Sequence, residues 1–342
     1  MTQNLFLSTL SGTKSDKTPL WMMRQAGRYL EEYRAVRATQ KDFISFCLNA
    51  DKASEVTLQP IHRFGFDAAI IFSDILMVPW ALDRNVRFET GIGPILDAME
   101  LPSDLSDNKL DGLEQKLAPV GVAIKKTRKA LSDNTALIGF AGAPWTLITY
   151  MAEGGSSRDF PKARLWAWQH RPEMDGLVSI LVEATIRFLA IQAEAGAQAL
   201  MLFDSWASAV PAAQRDWLVT QPAARIISGL RARGHYQPVI GFPKGLGDGL
   251  IRYAHKSGVD AIGLDHGVDP LWAAKYLPPT MPVQGNLDPL SLISGGQDMF
   301  DDIDRILAAF DNRPHIFNLG HGITPGTPLA HVQDMIDHVR NG

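Results

Sequence analysis

Arg24 and Arg28 are the first side chains along the sequence whose type and spacing suggest chemistry. They follow a short apolar segment, residues 20–23, in the run PLWMMRQAGRYLEEYR. If a helical turn begins here, the two guanidinium groups point to the same side. Each guanidinium is a planar fork of N–H donors, which suits a ligand rich in carboxylate or phosphate groups. The alternative is that both arginines pair with Glu31 or Glu32 on a solvent-exposed helix.

Asp74 and His321 are two further candidates, and each follows an apolar run. Asp74 precedes a second apolar stretch, ILMVPWAL, and an acid in such a place must be hydrogen-bonded, paired or facing a pocket. It could instead be a structural aspartate that caps a loop. His321 stands between Gly320 and Gly322, which leave its imidazole with little local cover. Histidine exchanges protons near neutral pH, so this position is a candidate for acid–base chemistry.

Three other loops after apolar segments carry polar side chains. Tyr150, in APWTLITYMAEGG, lies where the pattern predicts the first turns of a helix, and Gly154 permits a bend after it. The tyrosine ring could equally serve only in packing. Asp204 and Ser205, in LFDSWAS, are most simply interpreted as a helix N-cap, and no GxSxG elbow indicates a nucleophilic serine. The loop PKGLGDG could surround an anion beside Lys244, although a plain turn explains the same glycines.

Composition narrows the class of protein. The chain has 342 residues, of which 46% are hydrophobic and 20% charged, as is usual for a globular enzyme. Its formal net charge of −4 provides no basic field for nucleic acid or an anionic membrane. No apolar run reaches the roughly 20 residues of a membrane helix, and the N-terminal residues lack the pattern of a secretory signal. We therefore expect a cytoplasmic protein that binds neither nucleic acid nor membrane.

Cys47 is the only cysteine, so a disulfide within the chain is impossible. Zinc sites with two or more thiolates, iron–sulfur clusters and CxxC redox pairs are excluded for the same reason. The histidines show no HExxH or other familiar metal spacing. The sequence thus predicts no metal site, and Cys47 lies on an apolar pattern as a small buried residue.

Short apolar runs alternate with longer helical patterns along the whole chain. Eight runs are typical of strands, at residues 20–24, 68–74, 136–142, 199–204, 238–242, 261–265, 282–285 and 315–320. Helical patterns cover residues 51–64, 113–131, 174–195, 217–233, 246–256, 270–276, 299–310 and 329–339.

This alternation predicts an α/β fold with a parallel sheet covered by helices, and eight such units close into a (β/α)8 TIM barrel. An open doubly wound sheet is the alternative, but it would carry a glycine-rich fingerprint after its first strand, and RQAGRYL is not one. No linker divides the chain, so residues 1–342 are expected to form a single domain. In a barrel the candidate residues, which all follow predicted strands, share the face where active sites are built.

Seven motifs, taken together, closely resemble the uroporphyrinogen decarboxylase family. In chain order they are PLWMMRQAGRYL, FSDILMVP, GAPWTLITYMAEGG, FDSWAS, FPKG, QGNLDP and NLGHGITPGTP, and they span residues 19–328. The resemblance implies a single-domain (β/α)8 barrel that acts as a homodimer. It also implies conversion of uroporphyrinogen III to coproporphyrinogen III, without a cofactor, in tetrapyrrole (haem and chlorophyll) biosynthesis. In that reaction four acetate side chains lose CO2 and become methyl groups.

The resemblance also implies which residues form the site. The positions that match the family's substrate contacts are Arg24, Arg28, Asp74, Tyr150, Ser205 and His321. The further substrate-binding positions are Gln25, Ala26, Gly27 and Arg37. The expected catalytic residues are Asp74, Arg24, Arg28, Tyr150 and His321.

The substrate of the family carries its own electron sink, because protonation of a pyrrole carbon gives a cationic ring that accepts electrons as CO2 departs. Asp74 is expected to accept hydrogen bonds from pyrrole N–H groups and to stabilise this cation. Arg24 and Arg28 are expected to bind carboxylates that are not reacting. Binding the carboxylate that leaves as CO2 would stabilise the ground state and slow the reaction. The proton donor stays open between His321 and Tyr150, and His321 is the easier acid at neutral pH.

Three positions depart from the family's usual pattern, and two other functions stay open. Glu31 replaces a proline, Asp83 a glycine and His266 a tryptophan, and none of these changes removes an expected ligand. One alternative is a corrinoid- or zinc-dependent methyltransferase of related fold, for which Cys47 alone cannot supply the thiolates. The other is a catalytically silent tetrapyrrole-binding protein, which would not need the chemical residues present in this chain.

Overall fold

A seven-stranded parallel sheet forms the centre of the computed structural model, which describes residues 4–89 and 91–341. In chain order the strands are β1 (Ala68–Ile70), β2 (Arg87–Glu89), β3 (Gly93–Ile95), β4 (Ala136–Gly142), β5 (Ala199–Asp204), β6 (Val239–Pro243), β7 (Ala261–Gly263), β8 (Val283–Gln284) and β9 (His315–Ile316). Strands β2 and β3 form a separate antiparallel hairpin. The others pair side by side in the order β1-β4-β5-β6-β7-β8-β9.

The segment at Leu20 fills the eighth position and closes the cylinder. Leu20 forms a parallel bridge with Phe317, just beyond β9. On its other side the Leu20 carbonyl accepts the amide of Asp67, just before β1, at 3.0 Å, and the Leu20 amide donates to Asp67 Oδ2 at 2.8 Å. These contacts join both edges of the sheet and confirm the predicted (β/α)8 barrel. The first predicted strand is reduced to this single bridge, because the chain turns away before a strand can lengthen.

Helices connect successive strands and pack against the sheet and against each other. In chain order they are α1 (Leu5–Leu10), α2 (Glu31–Ala38), α3 (Phe43–Leu48), α4 (Ala50–Phe64), α5 (Met77–Ala81), α6 (Leu113–Ala130), α7 (Pro144–Glu153), α8 (Pro161–Gln169), α9 (Arg171–Glu194), α10 (Gln221–Ala232), α11 (Gly249–Lys256), α12 (Pro270–Tyr276), α13 (Pro289–Ser294), α14 (Gly296–Phe310) and α15 (Leu329–Asn341). Single 3-10 turns lie at Pro102–Asp104, Asp107–Leu110, Ala207–Ala209 and Ala212–Gln214, and a π-helical turn, Asp216–Thr220, leads into α10.

Most predicted elements are present, and most differences are shifts of their ends. Strands β4 and β5 and helix α12 coincide with their predicted ranges. Strands β1, β7 and β9 start at the predicted residue but end earlier, with the first residue beyond each end still bonded to a neighbouring strand or segment. The helix predicted over residues 217–233 begins with a π-helical turn instead of a regular α-helix.

Buried amide side chains hold the ends of the barrel strands together, in addition to apolar packing. Trp21 is fully buried and donates its indole N–H to Gln284 Oε1 at 2.8 Å. Asn318 is also fully buried, and its Oδ1 accepts the amide of Met23 at 3.0 Å. A buried polar group costs free energy unless it is hydrogen-bonded, so each pair favours one arrangement of neighbouring strands. The first loop is thereby tied to the last two strands.

Candidate active site

Arg24 lies in a left-handed turn that the last strand of the barrel holds in place. Its φ angle of 62° is uncommon for a residue other than glycine. The amide of the preceding Met23 donates to Asn318 Oδ1 at 3.0 Å, and the Met23 carbonyl accepts the amide of Ile323 at 3.0 Å. The Arg24 side chain lies against Gly322, where a Cβ atom would be 2.3 Å from Arg24 Cδ. The arginine is therefore placed beside the histidine that precedes this glycine.

Arg24 and Arg28 are not on a helix, because α2 begins only at Glu31. Turns carry the two arginines, so the expected helical spacing does not apply. Glu31 and Glu32 contact other arginines, at 3.9 and 2.8 Å, so the alternative that they neutralise Arg24 and Arg28 is wrong. Within the part of the chain that the structure describes, no carboxylate lies within 4.0 Å of either guanidinium. Both cations are exposed and free to bind an anionic ligand.

Asp74 follows β1 and is oriented by the start of the next helix. Its Oδ1 accepts the amide of Leu76 at 2.8 Å, and its carbonyl accepts the amide of Met77, the first residue of α5, at 3.3 Å. The interpretation of Asp74 as a capping aspartate therefore holds for one of its oxygens. None of the described residues donates to Oδ2. The half-buried side chain thus keeps one carboxylate oxygen for a ligand.

The pKa of Asp74 gives a first testable prediction. Burial raises this pKa from 3.8 to about 6, against the lowering effects of the Leu76 amide and the Arg24 charge. If the ionised carboxylate is the working form, kcat/KM should rise as the pH increases through about 6 and fall below it. A pH–rate profile with uroporphyrinogen checks this expectation. A profile that stays flat between about pH 5 and 8 would argue against a role for the charge.

A hydrogen-bonded network joins the turn after β5 to helix α7. Thr146 donates its hydroxyl to Asp204 Oδ1 at 2.5 Å, and its Oγ1 accepts the amide of Trp206 at 3.1 Å. Asp204 is buried, and this burial raises its pKa to about 7. The prediction that Asp204 and Ser205 cap a helix is wrong, because the carboxyl group bonds Thr146 and only a 3-10 turn follows. The pair instead fixes the Ser205 turn against the helix that carries Tyr150.

Tyr150 lies on α7, as its sequence context predicts, and Gly154 ends that helix with a φ angle of 76°. The phenol ring packs edge-on against Trp206, with ring centroids 6.3 Å apart. Burial is the main cause that raises the pKa of Tyr150, and the Asp74 carboxylate raises it further while Arg24 lowers it. The tyrosine is thus protonated at neutral pH and lies close to both charged groups.

His321 is half-buried and surrounded by positive charge. Burial, together with the charges of Lys244, Arg24 and His266, lowers its pKa to about 3. The imidazole is therefore neutral at physiological pH, which argues against the expectation that His321 is the easier acid at neutral pH. Carboxylates bound beside it would offset the cations and raise its pKa.

The remaining predicted positions are Arg37, Gln25, Ala26, Gly27 and Ser205, and they differ in how they are held. Arg37, on α2, is half-buried and donates to a backbone carbonyl at 3.1 Å. Gln25 is fully buried and donates to a carbonyl of β1 at 3.3 Å, so only its main chain is near the site. Ala26 and Gly27 are half-buried in the turn between the arginines, and Ser205 is half-buried after β5.

Lys244 and His266 belong to the site although sequence reasoning did not select them as ligands. Lys244 follows β6 and His266 follows β7, and the charges of both act on His321. Each residue lies just after a predicted strand, and this position could have indicated that both belong to the site. For the contact between Thr146 and Asp204 the sequence offers no signal, because 58 residues separate the two.

The candidate site residues are absent from the other surfaces of the barrel. A cavity of about 690 Å3 lies at the opposite end, and its lining includes Asp67, just before β1, Arg313, before β9, and His315, the first residue of β9. The described residues contain no group of three or more His, Cys, Asp or Glu side chains arranged to hold a metal ion. No helix in residues 4–89 and 91–341 is long and apolar enough to span a membrane.

Comparisons with known proteins agree with one another. The model of the family described as "Uroporphyrinogen decarboxylase (URO-D)" matches residues 1–342. A uroporphyrinogen decarboxylase of Maricaulis maris is 48% identical over 341 residues, which cover 100% of this chain and 99% of that protein. The enzyme of that name from Sphingopyxis alaskensis is 49% identical over 339 residues, or 98% of each chain. That from Caulobacter vibrioides is 49% identical over 334 residues, or 98% of this chain and 94% of its own.

The solved structures support the fold. A methyltransferase from Methanosarcina mazei matches with a TM-score of 0.81 over 98% of this chain and 97% of its own, at 16% identity, so the likeness concerns the fold alone. Fold and site together define a (β/α)8-barrel enzyme whose strand ends place an aspartate among unpaired cations. The chain belongs to the uroporphyrinogen decarboxylase family.

Proposed function

We propose that this chain removes CO2 from the four acetate side chains of uroporphyrinogen III and thereby produces coproporphyrinogen III in tetrapyrrole biosynthesis. The observation that carries the proposal is the free Oδ2 of Asp74 beside Arg24, with no carboxylate partner for Arg24 or Arg28 within the described residues. This arrangement suits a ligand with N–H donors at its centre and carboxylates at its rim. No cofactor is required, because the protonated pyrrole of the substrate accepts the electrons.

Asp74 acts on the charge that develops during the reaction. The Leu76 amide fixes Oδ1, so Oδ2 is oriented before the substrate arrives. Oδ2 accepts hydrogen bonds from pyrrole N–H groups, and the carboxylate charge stabilises the cationic ring that forms on protonation. Because this cation exists only along the reaction path, its stabilisation raises kcat and does not merely tighten substrate binding.

Two protons are added for each CO2 that leaves and one is released again, so the net uptake is one proton. The first adds to a pyrrole carbon and makes the ring an electron acceptor. The bond to the carboxylate then breaks and its electron pair passes into the ring, a second proton completes the methyl group, and the first proton leaves the ring carbon to restore the pyrrole. Tyr150 is protonated in the free protein, whereas His321 becomes a donor only when substrate carboxylates offset the charges of Lys244 and Arg24.

Arg28 is proposed to hold a carboxylate that is not reacting. Arg28→Ala should raise KM by about tenfold while kcat stays within about threefold, since a lost charged hydrogen bond is worth roughly 1.5–3 kcal/mol. Steady-state kinetics check this split. Arg225→Ala, which removes an exposed arginine from the outer helix α10, is the matched control and should change neither parameter. An unchanged KM with a lower kcat would assign Arg28 to the chemistry instead.

Product analysis tests the function directly. The purified protein is incubated with uroporphyrinogen III without oxygen, and the products are separated by their number of carboxyl groups. Stepwise loss of carboxyl groups down to coproporphyrinogen is the expected result. Tight binding without product would favour the silent tetrapyrrole-binding protein, and stoichiometric zinc with methyl transfer would favour the methyltransferase of related fold.

We further propose that residues 1–342 act as one catalytic domain, that the chain is a homodimer and that it works in the cytoplasm. Support for a dimer comes from exposed apolar side chains on α8, where Leu165 is 51% and Trp168 is 62% exposed. Analytical ultracentrifugation at micromolar concentration tests the dimer.

A further inference from the structure

Three nitrogen-bearing side chains, Arg24, Lys244 and His266, lie near His321, and only Arg24 among them was expected in the site. Arg24 and His321 were predicted, whereas Lys244 and His266 come from the loops after β6 and β7. A hydrogen bond between these two loops brings Lys244 and His266 together. The Gly245 amide donates to Asp265 Oδ2 at 2.7 Å, which joins the residue after Lys244 to the residue before His266.

The loop that carries His321 is packed against both neighbours. At Gly320 a Cβ atom would lie 2.2 Å from the backbone nitrogen of His266, so the two loops are in direct contact. At Gly322 a Cβ atom would lie 2.3 Å from Arg24 Cδ. Glycine is therefore required on each side of His321 for the close approach of a neighbouring group. The packing fixes His321 between His266 and Arg24.

No carboxylate of residues 4–89 and 91–341 forms an ion pair with this cluster. Asp265 is the nearest carboxylate along the chain, but its two oxygens accept the amides of Gly245 and Gly267, at 2.7 and 2.9 Å. Among the described residues no carboxylate lies within 4.0 Å of Lys244 or Arg24, although ion pairs are frequent elsewhere on the surface. Lys244 is moreover half-buried, and its amide is held by the carbonyl of Asp204 at 3.0 Å.

We propose that Lys244 and His266, together with Arg24 and His321, form a pocket that binds one non-reacting carboxylate arm of the tetrapyrrole. The identity of the ligand depends on the proposed function. The anion-binding pocket depends only on the four side chains. A half-buried lysine without a protein partner forms a strong charge-assisted hydrogen bond when a carboxylate arrives. The charge of Arg24 acts on both Asp74 and His321, so an arm bound in this pocket orients the macrocycle over the aspartate.

The test compares Lys244→Met with Lys129→Met, which removes an exposed lysine from the far end of α6. KM and kcat are measured with uroporphyrinogen III, and the dissociation constant of the product, coproporphyrinogen III, is measured by anaerobic calorimetry. Lys244→Met should raise both KM and the dissociation constant by about tenfold and leave kcat within about threefold. Lys129→Met should change none of them.

Charge and packing are separated by Lys244→Arg, which should recover most of the loss because it restores a cation. Equal damage by Lys244→Arg and Lys244→Met, or equal binding by Lys244→Met and the unchanged protein, would overturn the proposal. Thermal unfolding of each variant confirms that it is folded. If the unsubstituted protein binds both tetrapyrroles but does not turn them over, only the proposed function is wrong. The comparison of dissociation constants between the variants would still decide whether the pocket exists.

Discussion

Asp74→Asn is expected to lower kcat by about 10²- to 10³-fold while the protein still folds, because the missing charge is needed mainly during the reaction. The substitution keeps an oxygen that can accept the Leu76 amide, as Asp74 Oδ1 does at 2.8 Å. It removes the negative charge beside the developing cation. KM should change much less than kcat, since the interaction is stronger in the transition state than with the substrate.

The same substitution should stabilise the protein at neutral pH. Burial raises the pKa of Asp74 from 3.8 to about 6, so the folded protein binds this proton more tightly than the unfolded chain does. The stability that comes from the group is therefore fully present below about pH 4 and is lost as the pH rises through about 6. Replacing the carboxylate with a neutral amide should recover on the order of 2–3 kcal/mol at pH 7 and little at pH 4.

Asp288→Asn is the matched control for both effects. Asp288 is also half-buried after a barrel strand, and its Oδ1 accepts the amide of Leu290 at 2.9 Å, as Asp74 accepts that of Leu76. Asp288 caps α13, and its charge is not among those that act on Asp74 or His321, so its substitution should leave kcat unchanged. Full turnover by pure Asp74→Asn protein, or an equal loss in Asp288→Asn, would remove Asp74 from the centre of the mechanism.

The fold was predictable because the strands of a parallel barrel are buried on both faces and therefore leave continuous apolar runs in the sequence. The runs at residues 136–142 and 199–204 are strands over their full predicted lengths. The runs also place the loops that hold Arg24, Asp74 and His321 after strands, although those strands are shorter than predicted. The family resemblance gave the same positions, although what each residue does in catalysis stays a prediction.

The geometry within the loops could not be predicted, because distant residues determine it. The turn at Arg24 depends on a hydrogen bond from Met23 to Asn318, which is 295 residues away in the sequence. The small residues between the two arginines predicted a helical turn. In the structure the backbone of Arg24 instead adopts the left-handed conformation. Asp204 was similarly assigned to a helix cap, since its partner Thr146 lies on another element. Local patterns therefore gave the identity of the site residues but not their partners.

Gly322→Ala should displace Arg24 and raise KM by about tenfold or more without unfolding the protein. The new Cβ would lie 2.3 Å from Arg24 Cδ, and the flexible arginine side chain can move whereas the loop backbone, held by the bond from the Ile323 amide to Met23, cannot. The guanidinium, whose charge acts on both Asp74 and His321, would then be displaced. Gly326→Ala, where a Cβ atom meets nothing within 4 Å, is the control and should bind substrate normally.

A double-mutant cycle shows whether Gly322 acts through Arg24. Arg24→Ala alone should also raise KM by about tenfold or more, because a charged partner of the substrate is lost. If the glycine serves only to place the arginine, Gly322→Ala should add less than about threefold once Arg24 is already alanine. Additive losses in the double variant would mean that Gly322 shapes the site by another route. Non-additive losses would show that the contact between Arg24 and Gly322, in the first and last loops of the barrel, positions the arginine for its ligand.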